Sequence, residues 1–213
     1  MGVPYPESVV NAYRSERLIY RAPEPASEAD KQFIFEVDND PIDATFASMP
    51  PAKPISLASI ADRVDRWKNS PLMVLACLPP TDSQQPSDQA AEKKEPIRVG
   101  YVSLFNPHGG GGPGVNRSLM LGISIHKDHR GKKYGGEMIN WTLDWGFRRA
   151  GLHRIELGTW SFNQNALKLY RSLGFTEEGR NREAIWFDRE WHDIVNFSML
   201  EGEWEVLRGL KKD

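Results

Sequence analysis

The amino-acid sequence predicts a mixed α/β domain, and three features carry that expectation. Residues 118–175 alternate strand, helix, strand, helix and strand. Two apolar runs of strand character, LMVLACL at 72–78 and IRVGYVSL at 97–104, precede them. The apolar positions of the helices recur every three to four residues, which marks one buried face on each. Layers with one apolar face bury it against each other. The chain has 213 residues, which suits a single domain spanning 1–213 with a sizeable core.

Composition narrows the class. Hydrophobic residues make up 39% and charged residues 26%, and seven Trp and nine Phe supply enough apolar surface to drive folding. A formal net charge of −2 leaves no excess of positive charge to hold a polyanion, so no nucleic-acid partner is expected. No apolar run approaches the roughly 20 residues that cross a bilayer. MGVPYPES lacks the basic-then-apolar layout of a signal peptide, and Pro6 stands where myristoylation wants Ser or Thr. We therefore expect no membrane partner and a cytoplasmic protein, with the nucleus left open. The single cysteine, Cys77, excludes an internal disulfide and a multi-thiolate metal site. Its apolar neighbours mark it as a small buried hydrophobe.

In chain order, SERLIYRA at 15–22 reads as a short strand. Residues 27–37 read as a helix opened by Ser27 as N-cap, with acidic residues in its first turn. Leu57, Ile60, Ala61, Val64 and Trp67 share one face of a second helix. Between these helices, PIDATFASMPPAKP is proline-rich and expected to be irregular. The polar, proline-flanked segment 79–96 reads as a mobile insertion in a hairpin. A glycine-rich loop at about 106–116 holds Gly109 to Gly112; because it leads into a strand, SLMLGISI at 118–125, it reads as a flexible turn and not as a phosphate cradle.

The segment HKDHRGKKYGG then runs from that strand into a helix over about Gly135 to Ala150, with Met138, Trp141 and Trp145 beside Ile139, Leu143 and Phe147. HRIELGT follows as a strand. Next comes a helix over Asn163 to Leu173, with Ala166, Leu169, Tyr170 and Leu173 on one face and Gly174 as its stop. A strand that feeds a helix through Arg130, Gly131, Lys132, Lys133, Tyr134, Gly135 and Gly136 aims free backbone N–H groups, a helix dipole and three cations at one spot. That spot suits a phosphate; an ordinary solvated basic turn would read the same way.

HRGKKYGGEMI, GLHRIELGT and NQNALKLYRSLGF, in this order and spacing, resemble the acetyl-CoA-binding core of the GCN5-related N-acetyltransferase (GNAT) superfamily. The tail GRNREAIWFDREWHDIVNFSML resembles its RimJ/RimL and polyamine acetyltransferase branch, and the likeness runs from about Ser15 to Trp204. It implies a twisted, mostly antiparallel sheet of about seven strands with helices on both faces, and acetyl-CoA as cofactor. It also implies that the strand at Ile123, Ser124 and Ile125 splays from its neighbour and offers free backbone groups to the pantetheine arm and thioester carbonyl. The pyrophosphate would lie on Arg130 to Gly136. Asn163 matches the asparagine that bonds the cofactor or the adjoining strand, with a plain N-cap as its other role. Tyr170 matches the tyrosine that hydrogen-bonds or protonates the leaving sulfur, with a core aromatic as its other role. One position departs from the family turn: Lys133 stands where glycine is usual, which puts close backbone approach there in doubt.

Acetylating an amine requires an unprotonated nucleophile. At pH 7, holding an alkyl amine neutral costs about 4 to 5 kcal/mol unless the site lowers its pKa. Glu156, on the strand HRIEL, is the preferred base and His126 the second; Glu156 reads equally as a salt-bridge partner. With Cys77 in an apolar strand, direct transfer in a ternary complex is expected, and no metal site is evident. Seven acidic residues against one Lys between Glu24 and Asp43 favour a cationic acceptor such as a polyamine or a basic peptide N-terminus, although an acidic surface helix gives the same count. His192 and Asp193 either serve the acceptor or lock their hairpin. Two function classes result: an N-acetyltransferase acting on a small amine or a protein N-terminus, and a non-catalytic CoA-binding or interaction module. A monomer or homodimer fits both.

Overall fold

The computed structural model describes residues 5–47, 52–80, 95–109 and 112–211. A seven-stranded sheet in the order β1-β2-β3-β4-β5-β7-β6 forms the centre. Its strands are β1 (Ile19–Arg21), β2 (Leu72–Leu78), β3 (Ile97–Phe105), β4 (Ser118–Ile125), β5 (Arg154–Trp160), β6 (Thr176–Phe187) and β7 (Glu190–Leu200). Every neighbouring pair is antiparallel except β4 with β5. The helices are α1 (Glu7–Val10), α2 (Glu28–Asp38), α3 (Pro41–Phe46), α4 (Leu57–Trp67), α5 (Tyr134–Arg148), α6 (Gln164–Ser172) and α7 (Glu201–Leu207). The predicted fold class is therefore the one observed. No helix among the described residues is long and apolar enough to cross a membrane.

The continuous apolar run of β2 is explained by its position inside the sheet, with a core on each side. Leu72, Val74 and Ala76 join the core formed with Met138, Ile139, Leu143 and Phe147 of α5. Leu75 and Cys77 point the other way, into a second core with Phe33, Ile34 and Val37 of α2 and Ile60 and Val64 of α4. Cys77 is fully buried there and burial pushes its thiol pKa up, so it behaves as the small hydrophobe its neighbours suggest. β2 and β3 meet with Leu78 opposite Ile97, the two ends of a hairpin; the central part of the insertion, 81–94, lies outside the described residues, as do Gly110 and Gly111.

One expectation fails. The segment from Pro41 opens as a helix, Pro41–Phe46, and is not irregular. Asp40 caps it by accepting from the Asp43 N–H at 3.0 Å, and Pro41 sits at the first helical position, where its fixed φ helps and no N–H is needed. Proline here begins a helix; Pro54, later in the segment, stands in irregular chain, and 48–51 lie outside the described residues.

Two further elements carry little sequence signal. β6 and β7 form a long hairpin closed by Asp188 and Arg189, both in the left-handed region at φ 48° and 66°. That is the backbone of a type I′ turn without its usual Asn-Gly. α7 docks on α5 because the Trp204 indole N–H and the Arg208 guanidinium both donate to Asp144 at 2.8 Å.

The helix α2 is tied to the sheet by a buried carboxylate. Arg21 grips Asp30 with two hydrogen bonds of 2.7 Å, Arg98 adds one of 2.6 Å, and the Glu24 N–H adds another at 2.9 Å. Burial raises the Asp30 pKa, and these donors more than reverse that, leaving it at about 2. A lowered carboxyl pKa stabilises the fold above the unfolded value near 4, and that contribution vanishes as pH falls from about 4 to about 2. Asp30→Asn should cost about 3 kcal/mol by stranding two guanidinium groups. Thermal unfolding at pH 7 should register a drop of several degrees, and the gap from the parent chain should shrink on titration toward pH 2.

Candidate active site

The one parallel pairing in the sheet is short. β4 and β5 are joined only at Ser118↔Arg154, Leu119↔Ile155 and Met120↔Glu156. Beyond that point β4 stays paired with β3 as far as Ile125, and β5 with β7 as far as Trp160. The facing edges of Leu121–Ile125 and Leu157–Trp160 have no ladder partner, so the two strands diverge as a wedge. Backbone N–H and C=O groups along such an edge require a partner. Ile123, Ser124 and Ile125 all lie on it.

The wedge opens toward the start of α5. His126 follows β4 and caps a single 3₁₀ turn, Lys127–His129; the basic segment then curls into the helix. α5 has no side-chain cap, whereas α2, α3, α4 and α6 are capped by Ser27, Asp40, Ser56 and Asn163. Its first N–H groups are therefore free for an outside acceptor, at the positive end of the helix dipole. Glu137, in the first turn, does not fill the vacancy. Its carboxylate accepts from the Ser15 hydroxyl at 2.6 Å, the Arg17 N–H at 2.7 Å and the Arg17 guanidinium at 2.8 Å. Arg17 also donates to the Lys132 carbonyl at 3.1 Å and lies 4.5 Å over the buried Tyr134 ring.

The members of the basic turn have different tasks. Gly131, at φ +75°, turns the chain in open space. Gly135 and Gly136 serve helix packing: a Cβ on Gly135 would meet Ile125 at 3.2 Å, and one on Gly136 would meet Leu169 at 3.7 Å. The structure answers the question posed by Lys133, which takes φ 64° and occupies the left-handed conformation itself. Arg130 turns away from the helix start. Its Nε donates to the Ile125 carbonyl at 3.1 Å and an Nη lies 2.7 Å from Asp40. Its charge is thus committed within the protein, and Lys132 and Lys133 are the cations left to the turn.

Asn163 accepts from the Ala166 N–H at 3.2 Å, which is the N-cap role. Tyr170, on α6, is packed between Phe175 and Phe197, and burial alone pushes its pKa up to about 12. Glu156 marks the closed end of the wedge, opposite Met120, on the sheet face away from α5. Arg154 approaches it at 3.3 Å while making a second, closer pair with Glu178. A cavity of about 440 Å³ opens beside it, lined by Met120, Glu178, Arg180, Asn181 and Asn196. His126 sits at the other end of β4, six residues from Met120 and so about 20 Å away along the strand. Its nearest carboxylates are Asp128 at 3.6 Å and Glu36 at 3.7 Å. Glu156 and His126 cannot serve the same nitrogen.

The acidic stretch is largely neutralised by folding. Glu28 pairs with Lys31, Asp30 with Arg21 and Arg98, Asp38 with Arg63, and Asp40 with Arg130. The count made along the sequence therefore overstates the negative field. Asp193 locks its hairpin through Ser161 and Glu183, with bonds of 3.1 Å to each. His192 packs on Phe162 at 4.8 Å. Sequence reasoning missed α3 as a wall of the site: Asp43 accepts from the Ser124 hydroxyl at 3.1 Å, and Thr45 accepts from the Trp160 indole at 3.0 Å. The Asp40-Pro41 start signal was legible, but these two contacts were not.

Comparison with known proteins agrees with this geometry. Spermidine N(1)-acetyltransferase of Vibrio cholerae is 31% identical over 90 residues, 42% of this chain and 52% of that protein. The putative ribosomal N-acetyltransferase YdaF of Bacillus subtilis is 29% identical over 106 residues, 50% of this chain and 55% of that protein. The chain thus spans about half the length of the curated relatives it matches. Among solved structures, a GNAT-family acetyltransferase from Bacillus anthracis superposes with a TM-score of 0.68 at 19% identity, over 89% of this chain and 98% of that one. Spermidine N-acetyltransferase from Vibrio cholerae, in complex with CoA and spermine, gives 0.68 at 21% identity, over 89% and 99%. A family model of the acetyltransferase (GNAT) domain covers residues 17–176, most of the chain, and with the splayed strands and the uncapped helix this places the protein in the GNAT acetyltransferase family.

Proposed function

We propose that this chain is an N-acetyltransferase that moves the acetyl group of acetyl-CoA to a primary amine by direct transfer in a ternary complex. The observation that carries the reading is the wedge, whose unpaired β4 edge leads straight to an α5 start with no cap of its own. These are complementary vacancies. The strand edge lacks an extended partner, which a pantetheine arm with two amides would supply, and the helix start lacks an anion, which a pyrophosphate would supply. Lys132 and Lys133 stand beside the second vacancy. Acetyl-CoA brings an activated acyl group on a thiolate leaving group.

The chain's own residues have distinct roles in this scheme. N–H groups on the β4 edge would receive the developing oxyanion. Glu156, on the acceptor side of the sheet at the closed end of the wedge, would take the amine proton directly or through water. Tyr170 would donate a hydrogen bond to the departing sulfur. With its pKa near 12 against about 8.5 for a thiol, complete proton transfer is uphill by about 5 kcal/mol, so the proton is shared and not lost. Cys77, sealed between α2 and α4, offers no route to an acetyl-enzyme. The other function class, a CoA-binding module without turnover, keeps the wedge and loses the chemistry.

Thiol release from acetyl-CoA across a panel of small amines and N-terminal peptides separates the two, with heat of CoA binding measured in parallel. Turnover with intersecting double-reciprocal lines is expected; CoA binding without thiol release from any acceptor would establish the module instead. Tyr170→Phe should lower kcat by roughly 10- to 100-fold with the melting temperature and CoA affinity little changed.

Lys133→Gly tests the departure in the turn. A side chain in the left-handed region costs about 1 kcal/mol, so the glycine variant should melt about 2–4 °C higher. Loss of one cation beside the helix start should at the same time weaken CoA binding several-fold at low salt, and less at high salt.

A further inference from the structure

When its close pairs with lysine and arginine are set aside, the acidic stretch keeps three carboxylates: Glu24 and Glu36, both exposed, and Asp43, which is buried. Asp43 is 8% exposed, and among the described residues the hydrogen bond to its side chain comes from the Ser124 hydroxyl, on the splayed part of β4. The nearest guanidinium, that of Arg130, is 4.0 Å away and already holds Asp40 at 2.7 Å. Burial pushes the Asp43 pKa up to about 6, outweighing the Ser124 hydrogen bond and the charge of Arg130, which pull it down. A cationic group beside it would repair that deficit.

α3 lies across the open side of the wedge. Asp40 and Asp43 fasten it to the β4 side, and the bond from Trp160 to the Thr45 carbonyl fastens it to the end of β5. Three residues after Asp43 comes Phe46, on an adjacent part of the same helix surface. Phe46 meets Phe162 edge-on at 5.5 Å, and Phe162 stacks on Phe187 of the β6–β7 hairpin at 4.6 Å. Phe46 and Phe187 both remain 36% exposed. One buried carboxylate thus stands next to an accessible aromatic rim.

Resting on the acetyltransferase reading, we propose that Asp43 receives the acceptor's ammonium group and that Phe46, Phe162 and Phe187 receive its body. The acceptor is then a primary amine with a single charge on an apolar or aromatic frame, not a polyamine. A polyamine carries two or three further charges that the three rings themselves cannot pair, and the acids nearest Phe187 in the hairpin, Asp188 and Glu190, are exposed to water at its tip. An arylalkyl body gains burial and ring contacts on the same rim. Asp43 acts here by binding and orienting the amine.

The test uses the full chain with 2-phenylethylamine and spermine as acceptors, followed by thiol release. We expect kcat/KM to be at least tenfold higher for 2-phenylethylamine. Asp43→Asn keeps the shape and can still accept from Ser124, so the melting temperature and CoA affinity should hold while KM for 2-phenylethylamine rises at least tenfold. Phe187→Ala should raise that KM several-fold and narrow the preference over spermine. A preference for spermine in the parent chain overturns the inference and leaves the acetyltransferase reading standing. An Asp43→Asn variant that changes melting temperature but not KM reduces Asp43 to a structural tie and overturns its assigned role. Failure of every amine to release thiol, with CoA still bound, overturns the acetyltransferase reading and this inference with it. The comparison of acceptors on the parent chain decides the substrate class whether or not either variant folds.

Discussion

The end of hydrogen bonding between β4 and β5 after Met120 and Glu156 is the constraint on which the rest of the site depends. A parallel pair buried in a sheet would normally continue its ladder, because every unpaired backbone group inside a protein costs free energy. Here each strand keeps its outer partner, β3 for one and β7 for the other, so the sheet remains continuous while the inner edges stay open. The opening has walls on both faces. On one side lie α5 and α6, whose apolar surfaces share a core with Leu119, Leu121, Ile155 and Leu157. On the other lies α3, hydrogen-bonded to both strands.

The same arrangement explains how the basic turn is held without being consumed. Arg17 and Ser15 occupy the Glu137 carboxylate, which would otherwise be free to neutralise the start of α5. Arg130 is drawn back to Ile125 and Asp40, which fixes the path of the chain out of β4. What remains at the helix start is backbone N–H, two lysines and open space beside Gly131. A site for a multiply charged anion needs such groups to be rigid and unsatisfied at once. Rigidity comes from contacts made by neighbours that do not touch the ligand.

Folding also redistributes charge in a way that linear counting does not show. The seven acids between Glu24 and Asp43 face five basic residues, four of them far away in sequence or outside the stretch: Arg21, Arg63, Arg98 and Arg130, with Lys31 inside it. Asp30 alone absorbs two arginines and becomes a structural tie for α2. The electrostatic character of the acceptor side is therefore set by what is left over: the exposed Glu24 and Glu36 and the buried Asp43.

Much of the fold was legible in the amino-acid order because the relevant forces are local or periodic. The β2 run LMVLACL, the Ile60 and Val64 face, the Ser27 and Asn163 caps and the strand-turn-helix at 118–148 each announce their element through spacing, capping chemistry or unbroken apolarity. Asp40-Pro41 carried the same kind of signal, but the later prolines obscured it. By contrast, the Asp188-Arg189 turn uses residues that rarely adopt its backbone, and α7 depends on one distant carboxylate, Asp144. The sequence by itself determined the strand and helix content, the apolar faces and the basic turn, since these follow from side-chain periodicity and backbone preference along the chain. Tertiary structure alone decided where β4 and β5 part, which acids are paired with arginines, and that Asp43 meets Ser124 across 81 positions. Those outcomes rest on contacts between residues remote in sequence, and their energies depend on burial that exists only once the layers have closed.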